Sequence, residues 1–328
     1  MINRRHLSLT TEATAGSSWP EWHLSGWLTV PDDLRRDELH ILVHGAGADH
    51  RYWDWPMEPK RYSYVAWAAE RGIATLNLDR IGCGHSSRPP GREVTVSAQG
   101  DGIAQVIGAI RNGAITGVPE FSRIVLVGHS IGSVISGTSV ADHGGPDALV
   151  LTGYLPVDGT AEMGDELFDF AFVPAVEGKP ELAGLVDGDY LVPREGLGVD
   201  ELRFWGPATD PAVMAFDGAI KGAATKAELR DAALAGPLIR SVTIPTLAVV
   251  GEHDALLIDN NLGETTTFDT ITRVHDSVTD NFDFEVVPAP GTCNACSATP
   301  RTAMRQSSVG WTRACQLSSP WVKTTVVF

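Results

Sequence analysis

The sequence predicts an α/β protein, a mostly parallel twisted sheet flanked by helices, and three observations carry that prediction. Short β-branched runs alternate with stretches of helical spacing, the pattern of a parallel sheet with crossover helices. Each run stops at a Gly-rich or polar turn, so chemistry-bearing residues gather at the carboxyl ends of strands, where open α/β sheets bind ligands. The chain has 328 residues, 43% of them hydrophobic and 20% charged, which is ordinary globular composition with ample material for a large core.

In chain order, Leu39 to Val43 reads as a strand ending in His44-Gly45-Ala46-Gly47. Tyr64 to Arg71 reads as a helix closed by Gly72, and Ile73 to Leu78 as the next strand, running into Asp79-Arg80 and a Gly-rich turn. Gly102 to Ala114 has helical spacing. Arg123 to Val127 is an apolar strand that stops at Gly128, a helix begins near Ile131, and Ala148 to Thr152 is a further strand. Residues 157–240 then change character, with 16 acidic and 7 basic side chains and with Pro and Gly breaking the helical patterns into short pieces. This stretch reads as a helical cap inserted after the sixth strand. Ile244 to Val250 resumes the sheet before Gly251-Glu252-His253-Asp254, and Phe282 to Val287 is the last strand. The expected organisation is therefore a core in two parts, 1–156 and 241–328, separated by the cap at 157–240, with an atypical tail.

Charge and cysteine usage narrow the function. Lys plus Arg number 25 against 41 Asp plus Glu, a formal charge of −16, and so acidic a surface repels phosphate backbones. No apolar run approaches the roughly 18 residues that span a bilayer, and no apolar stretch follows Arg4-Arg5 as a secretory signal would require. The expectations are no nucleic acid, no membrane, a cytoplasmic chain and a small-molecule substrate, with a homodimer left open. The four cysteines are Cys83, Cys293, Cys296 and Cys315. A single C-x-x-C pair is weak grounds for zinc, and a long chain without a signal keeps its thiols reduced, so neither a metal nor another cofactor is expected. No phosphate-binding Gly-rich loop or paired-carboxylate arrangement argues for phosphoryl or glycosyl chemistry.

The strongest motif is Gly128-His129-Ser130-Ile131-Gly132, a G-x-S-x-G between strand and helix. Such a sequence places Ser130 on a sharp turn, with the glycines removing side chains that would clash and the hydroxyl exposed at the sheet edge. The following helix directs its first amides toward the serine, so the Ile131 N–H is a candidate oxyanion donor.

With this motif in place the chain resembles the α/β-hydrolase fold superfamily of serine-nucleophile type, over about Leu39 to Val287. His44-Gly45-Ala46-Gly47 is similar to the family's H-G-x-G loop, which implies the Ala46 N–H as second oxyanion donor. Asp79-Arg80-Ile81-Gly82-Cys83-Gly84-His85-Ser86 resembles its D-x-x-G-x-G-x-S turn. Gly251-Glu252-His253-Asp254 resembles its G-x-x-D, which implies Asp254 as the triad acid. The implied activity is acyl transfer at an ester, lactone or thioester-like carbonyl. Trp53, Trp55, Phe168, Phe170, Phe172, Tyr190, Phe204, Trp205 and Phe216 fit either an aromatic pocket for a bulky apolar substrate or simple packing of cap on sheet.

The departure is at the base. The family's histidine follows the last strand, but here that region reads Val287-Pro288-Ala289-Pro290-Gly291-Thr292-Cys293-Asn294-Ala295-Cys296, and no histidine follows His275. By position, Cys293 or Thr292 stands where the histidine is expected. A thiol of ordinary pKa near 8.5 is a poor base, and a neighbouring carboxylate would raise it further, so Cys293 is expected to be a passive replacement. Three explanations remain open. His275 or His44 serves as an alternative base; the pocket performs non-hydrolytic chemistry on a natural-product-like substrate, or only binds a ligand; or the tail after Gly291 is an altered reading frame, since codons for Gly-Thr-Cys yield Gly-His when shifted by one base.

Overall fold

The structure, a computed structural model, describes residues 2–13, 15–34, 37–196, 204, 209–252, 254 and 267–287. Its centre is an eight-stranded sheet in the order β1-β2-β4-β3-β5-β6-β10-β11. Six strands run parallel: β4 (Ala74–Leu78), β3 (Glu38–Val43), β5 (Arg123–His129), β6 (Ala148–Thr152), β10 (Thr246–Gly251) and β11 (Phe282–Val287). At one edge, β1 (Ile2–Glu12) and β2 (Glu21–Pro31) form an antiparallel hairpin that joins the sheet through β4.

The parallel strands are buried on both faces because their side chains alternate between two apolar layers. From β3, Leu39, Ile41 and Val43 enter one cluster and Leu42 the other; from β5, Ile124 and Leu126 part from Val125 and Val127 in the same way. The first layer holds α3 (Val96–Arg111) and α4 (Ile131–His143); the second holds the short α1 (Pro59–Tyr62) and α2 (Tyr64–Glu70).

Three sequence expectations shift. The N-terminal hairpin adds two strands to those expected, and its Leu7 and Leu9 alternate with polar neighbours at the two-residue period of a strand. Helix α3 begins at Val96, six residues before the expected Gly102, because the Thr95 hydroxyl caps it by accepting from the Ala98 N–H at 3.0 Å. Gly100 is tolerated inside it for the sake of packing, since a Cβ there would lie 3.3 Å from the Ser139 backbone on α4.

The third shift concerns the stretch between β6 and β10. It carries α5 (Ala161–Ala171), α6 (Ala175–Gly178), α7 (Pro211–Ile220), α8 (Lys226–Leu234) and α9 (Gly236–Arg240). It also holds a three-stranded antiparallel sheet of β7 (Phe172–Pro174), β8 (Tyr190–Pro193) and β9 (Ala224–Thr225), where sequence predicted helix alone. Helix α8 packs on α5 and reaches down to α3 and α4. Pro193 and Gly222 sit directly on the His44–Gly47 loop: a Cβ at Gly47 would meet Pro193, and the Gly222 N–H donates to the Gly47 carbonyl at 3.0 Å. The insertion therefore lies over the carboxyl ends of the strands.

Candidate active site

Ser130 joins β5 to α4 with φ +51° and ψ −122°, and it and Glu58 are the two non-glycine residues of positive φ among the described residues. That conformation costs about 1–3 kcal/mol and persists only where surrounding structure enforces it. The enforcement is visible. The Ser130 N–H donates to the Thr152 carbonyl at 2.8 Å, the Ser133 hydroxyl donates to the same oxygen at 3.0 Å, and the Thr152 hydroxyl donates to the Gly128 carbonyl at 3.0 Å. Both motif glycines are sterically required. A Cβ on Gly128 would lie within 2.4 Å of the Gly132 carbonyl, and one on Gly132 within 2.4 Å of the Val43 carbonyl. Ile131, the first residue of α4, is buried beside the serine, and its N–H belongs to the first turn, whose amides have no partner within the helix.

The loop after β3 approaches from the other side. A Cβ at Gly45 would come within 3.3 Å of Ser130 Cβ, so the backbone bearing half-buried Ala46 runs beside the serine. His44 holds that backbone. Its Nε2 accepts the Arg80 N–H at 3.1 Å, which makes Nδ1 the protonated nitrogen, and Nδ1 donates to the Gly45 carbonyl at 2.9 Å. Burial, and then the charge of Arg80, push its pKa down to about 4. With both ring nitrogens engaged and the ring neutral, His44 orients the loop and offers Ser130 no base.

His275 closes α10 (Thr267–His275) as an exposed side chain, 69% accessible, paired with Asp276 at 3.0 Å and tilted against Phe284. His129 stacks on Tyr52 at 4.4 Å, with Nδ1 on the Thr152 hydroxyl at 3.0 Å. Asp254, completely buried, lies just past β10, and its N–H donates to the Gly251 carbonyl at 3.3 Å. Ser130 and Asp254 thus leave the same end of parallel strands separated by β6 alone, roughly 10 Å apart at strand spacing. Strand β11 pairs parallel with β10, Val287 opposite Gly251, so β11 ends at that same edge. Cys293, like Cys296, lies outside the described residues.

A buried polar cluster that joins Arg80 of the Asp79–Ser86 turn to the insertion braces this site. Arg80, 2% exposed, donates from Nη1 to Glu228 Oε2 at 2.5 Å and to Gln99 Oε1 at 3.0 Å, and from Nη2 to the Gly45 carbonyl at 3.3 Å. Burial lowers the Arg80 pKa most, yet Glu228, Cys83 and Asp79 together make the net shift upward. Glu228 is also the third residue of α8, where it forms a capping box with Thr225. The T-x-x-E pattern of such a box is legible in sequence; its union with Arg80, 148 residues away, is not.

The aromatic residues divide differently from the pocket expectation. Trp53, Trp55, Tyr190 and Phe204 are buried in packing, Trp55 edge-on to Phe216 at 4.9 Å, while Phe170 is half exposed. Trp205 lies outside the described residues.

A mostly parallel eight-stranded sheet with a serine elbow at one strand end defines a class. A family model described as "Alpha/beta hydrolase family" matches residues 41–291, and the chain belongs to that family. Solved structures share the fold at low identity. GrgF, an alpha/beta hydrolase from Penicillium sp. sh18, matches with TM-score 0.55 and 15% identity over 88% of this chain and 91% of its own. An esterase from Exiguobacterium antarcticum matches at 0.51 and 15%, over 87% and 92%. A bromoperoxidase from Bacillus anthracis matches at 0.54 and 15%, over 88% and 93%. At such identity these likenesses show the fold alone. No curated protein matches the chain in sequence. Among the described residues no helix is long and apolar enough to cross a membrane.

Proposed function

We propose that this chain is a serine hydrolase-like enzyme acting on an ester, lactone or thioester-like carbonyl of a bulky, mostly apolar small molecule. Ser130 is the nucleophile, the N–H groups of Ala46 and Ile131 receive the developing oxyanion, and Asp254 is the acid that orients a base. Residues 157–240 serve as the cap that closes over the substrate. The observation that carries this reading is the strained Ser130 conformation, held by Thr152 and two glycines that nothing larger can replace. Strain maintained at that expense supports a nucleophile presented for attack.

The base favours a second reading. His44 is committed to backbone, His275 is exposed at a helix end, and no histidine follows it. From residue 288 onward, 41 residues contain no Asp or Glu yet hold three of the four cysteines. Written as CCG-GGC-ACC-TGC, the codons for Pro290 to Cys293 shifted by one base contain Gly-His, the residues the family places here. In that reading the tail departs from the ancestral frame, and the chain as it stands binds its ligand without hydrolysing it, or performs non-hydrolytic chemistry.

Fluorophosphonate labelling followed by intact mass separates the two. A stoichiometric adduct on the full chain, absent from Ser130→Ala, is the outcome expected of an activated nucleophile. No adduct over hours, from a folded chain, refutes hydrolysis and leaves the second reading, which sequencing the gene across codons 287–296 then tests.

A further inference from the structure

Beside the proposed active site, His50 converges with two residues of one turn, Asp79 and His85. His50 opens a short 3₁₀ turn (His50–Tyr52), Asp79 is the first residue after β4, and His85 lies in the Gly-rich turn that follows. One ligand atom from each lies within 4.8 Å of those of the other two. The arrangement is nearly symmetric about the carboxylate. Asp79 Oδ1 accepts from the His50 N–H at 2.8 Å and lies 2.9 Å from His50 Nδ1; Oδ2 accepts from the His85 N–H at 2.8 Å and lies 3.3 Å from His85 Nδ1.

Two features make this more than a turn stabilised by a side chain. Asp79 is completely buried, and the basic side chains within ion-pair distance of it among the described residues are these two imidazoles, while Arg80 and Arg51 act on it only from farther away. A buried carboxylate favours a compensating cation held close to it, and a metal ion bound by these three residues would supply one. The cluster is also open on one side. His85 is 67% accessible while His50 is 17%, so an ion has a path from solvent to a buried anionic centre. The walls are preformed: Trp27 stacks on the His50 ring at 3.5 Å, and Gly84, at φ +50°, leaves the space that the Asp79 carboxylate occupies.

We propose that His50, Asp79 and His85 form a binding site for one divalent transition-metal ion of the zinc type. Two imidazole nitrogens and one carboxylate oxygen suit zinc, cobalt, nickel or copper, whereas magnesium and calcium demand more oxygen ligands. The two backbone N–H groups remain on the carboxylate and fix its orientation, as partners outside the coordination sphere commonly do. On binding, each imidazole turns a lone pair of Nδ1 to the metal and carries its proton on Nε2. Three protein ligands leave the remaining positions to water. The ion would clamp the chain that follows the His44–Gly47 loop to the turn after β4. It stands apart from the serine chemistry and does not depend on it.

The test uses the full chain, stripped with a chelator and titrated with Zn²⁺ by calorimetry, with cobalt absorption as a spectroscopic check of nitrogen and oxygen ligation. One equivalent at micromolar affinity or tighter is expected, with a rise in Tm on binding. His85→Ala, at an exposed position that folding does not need, should weaken binding roughly a hundredfold and abolish the Tm rise. The triple variant Cys293→Ser, Cys296→Ser, Cys315→Ser should bind as the parent does. Absence of binding below about 100 μM, undiminished binding by His85→Ala, or loss of binding in the cysteine variant would each overturn the proposal.

Discussion

Replacing Glu228 by Ala tests whether the insertion and the oxyanion loop are one electrostatic unit. Glu228 is 1% exposed, and its two oxygens take Arg80 Nη1, Gln99 Nε2 and the Thr225 N–H. Its removal leaves a guanidinium that is 2% exposed with Gln99 Oε1 and the Gly45 carbonyl as acceptors, both uncharged. Breaking a buried pair in this way costs about 3–5 kcal/mol, and loss of the capping box adds about 1. At roughly 2 °C per kcal/mol for a chain of this length, Tm should fall by about 10 °C in a thermal melt followed by circular dichroism. The double variant Arg80→Met, Glu228→Leu removes both charges and should recover most of that loss, because a buried pair and an apolar pair of similar volume are close in stability. It should still slow fluorophosphonate labelling of Ser130, by about tenfold, since the Gly45 carbonyl loses its guanidinium and the Ala46 amide its fixed direction. A Glu228→Ala variant melting within 2 °C of the parent would refute the buried-charge argument. A double variant labelling at the parental rate would refute the positioning argument.

Further outcomes follow from single contacts. Gly132→Ala would press a methyl within 2.4 Å of the Val43 carbonyl, and should lower Tm by several degrees and abolish labelling of Ser130 in any folded fraction. His44 is neutral in the folded chain with its pKa near 4, below its ordinary value of 6.5, so the unfolded chain binds the extra proton between those values. Stability from this residue is complete above about pH 6.5 and declines as pH falls toward 4; His44→Gln should flatten that part of a Tm-against-pH curve. Cys293→Ser should leave any turnover within about tenfold, while Cys293→His should create or raise ester hydrolysis, measured with p-nitrophenyl esters; a loss of activity in Cys293→Ser beyond a hundredfold would contradict the passive role given to this thiol.

Local sequence determined the parallel strands and the elbow because both are short-range. Runs such as Arg123 to Val127 can only be buried on both faces, and Gly-x-Ser-x-Gly between strand and helix permits one turn. The family and the order of Ser130 before Asp254 were legible for the same reason. Tertiary structure decided what depends on distant partners. Helix α3 extends back through Gly100 because α4 approaches closely there, a packing gain that outweighs the poor helix propensity of glycine. His44 was a candidate base in sequence and is a neutral clamp in the fold, since the Arg80 amide that occupies its second nitrogen comes from another strand end. The aromatic residues read equally as pocket or packing until burial assigned Trp53, Trp55 and Tyr190 to packing. The union of Arg80 with Glu228, and of His50 with the Asp79–Ser86 turn, carries no pattern in one dimension: a buried charge is recognisable only by what surrounds it, and those surroundings are assembled by the sheet.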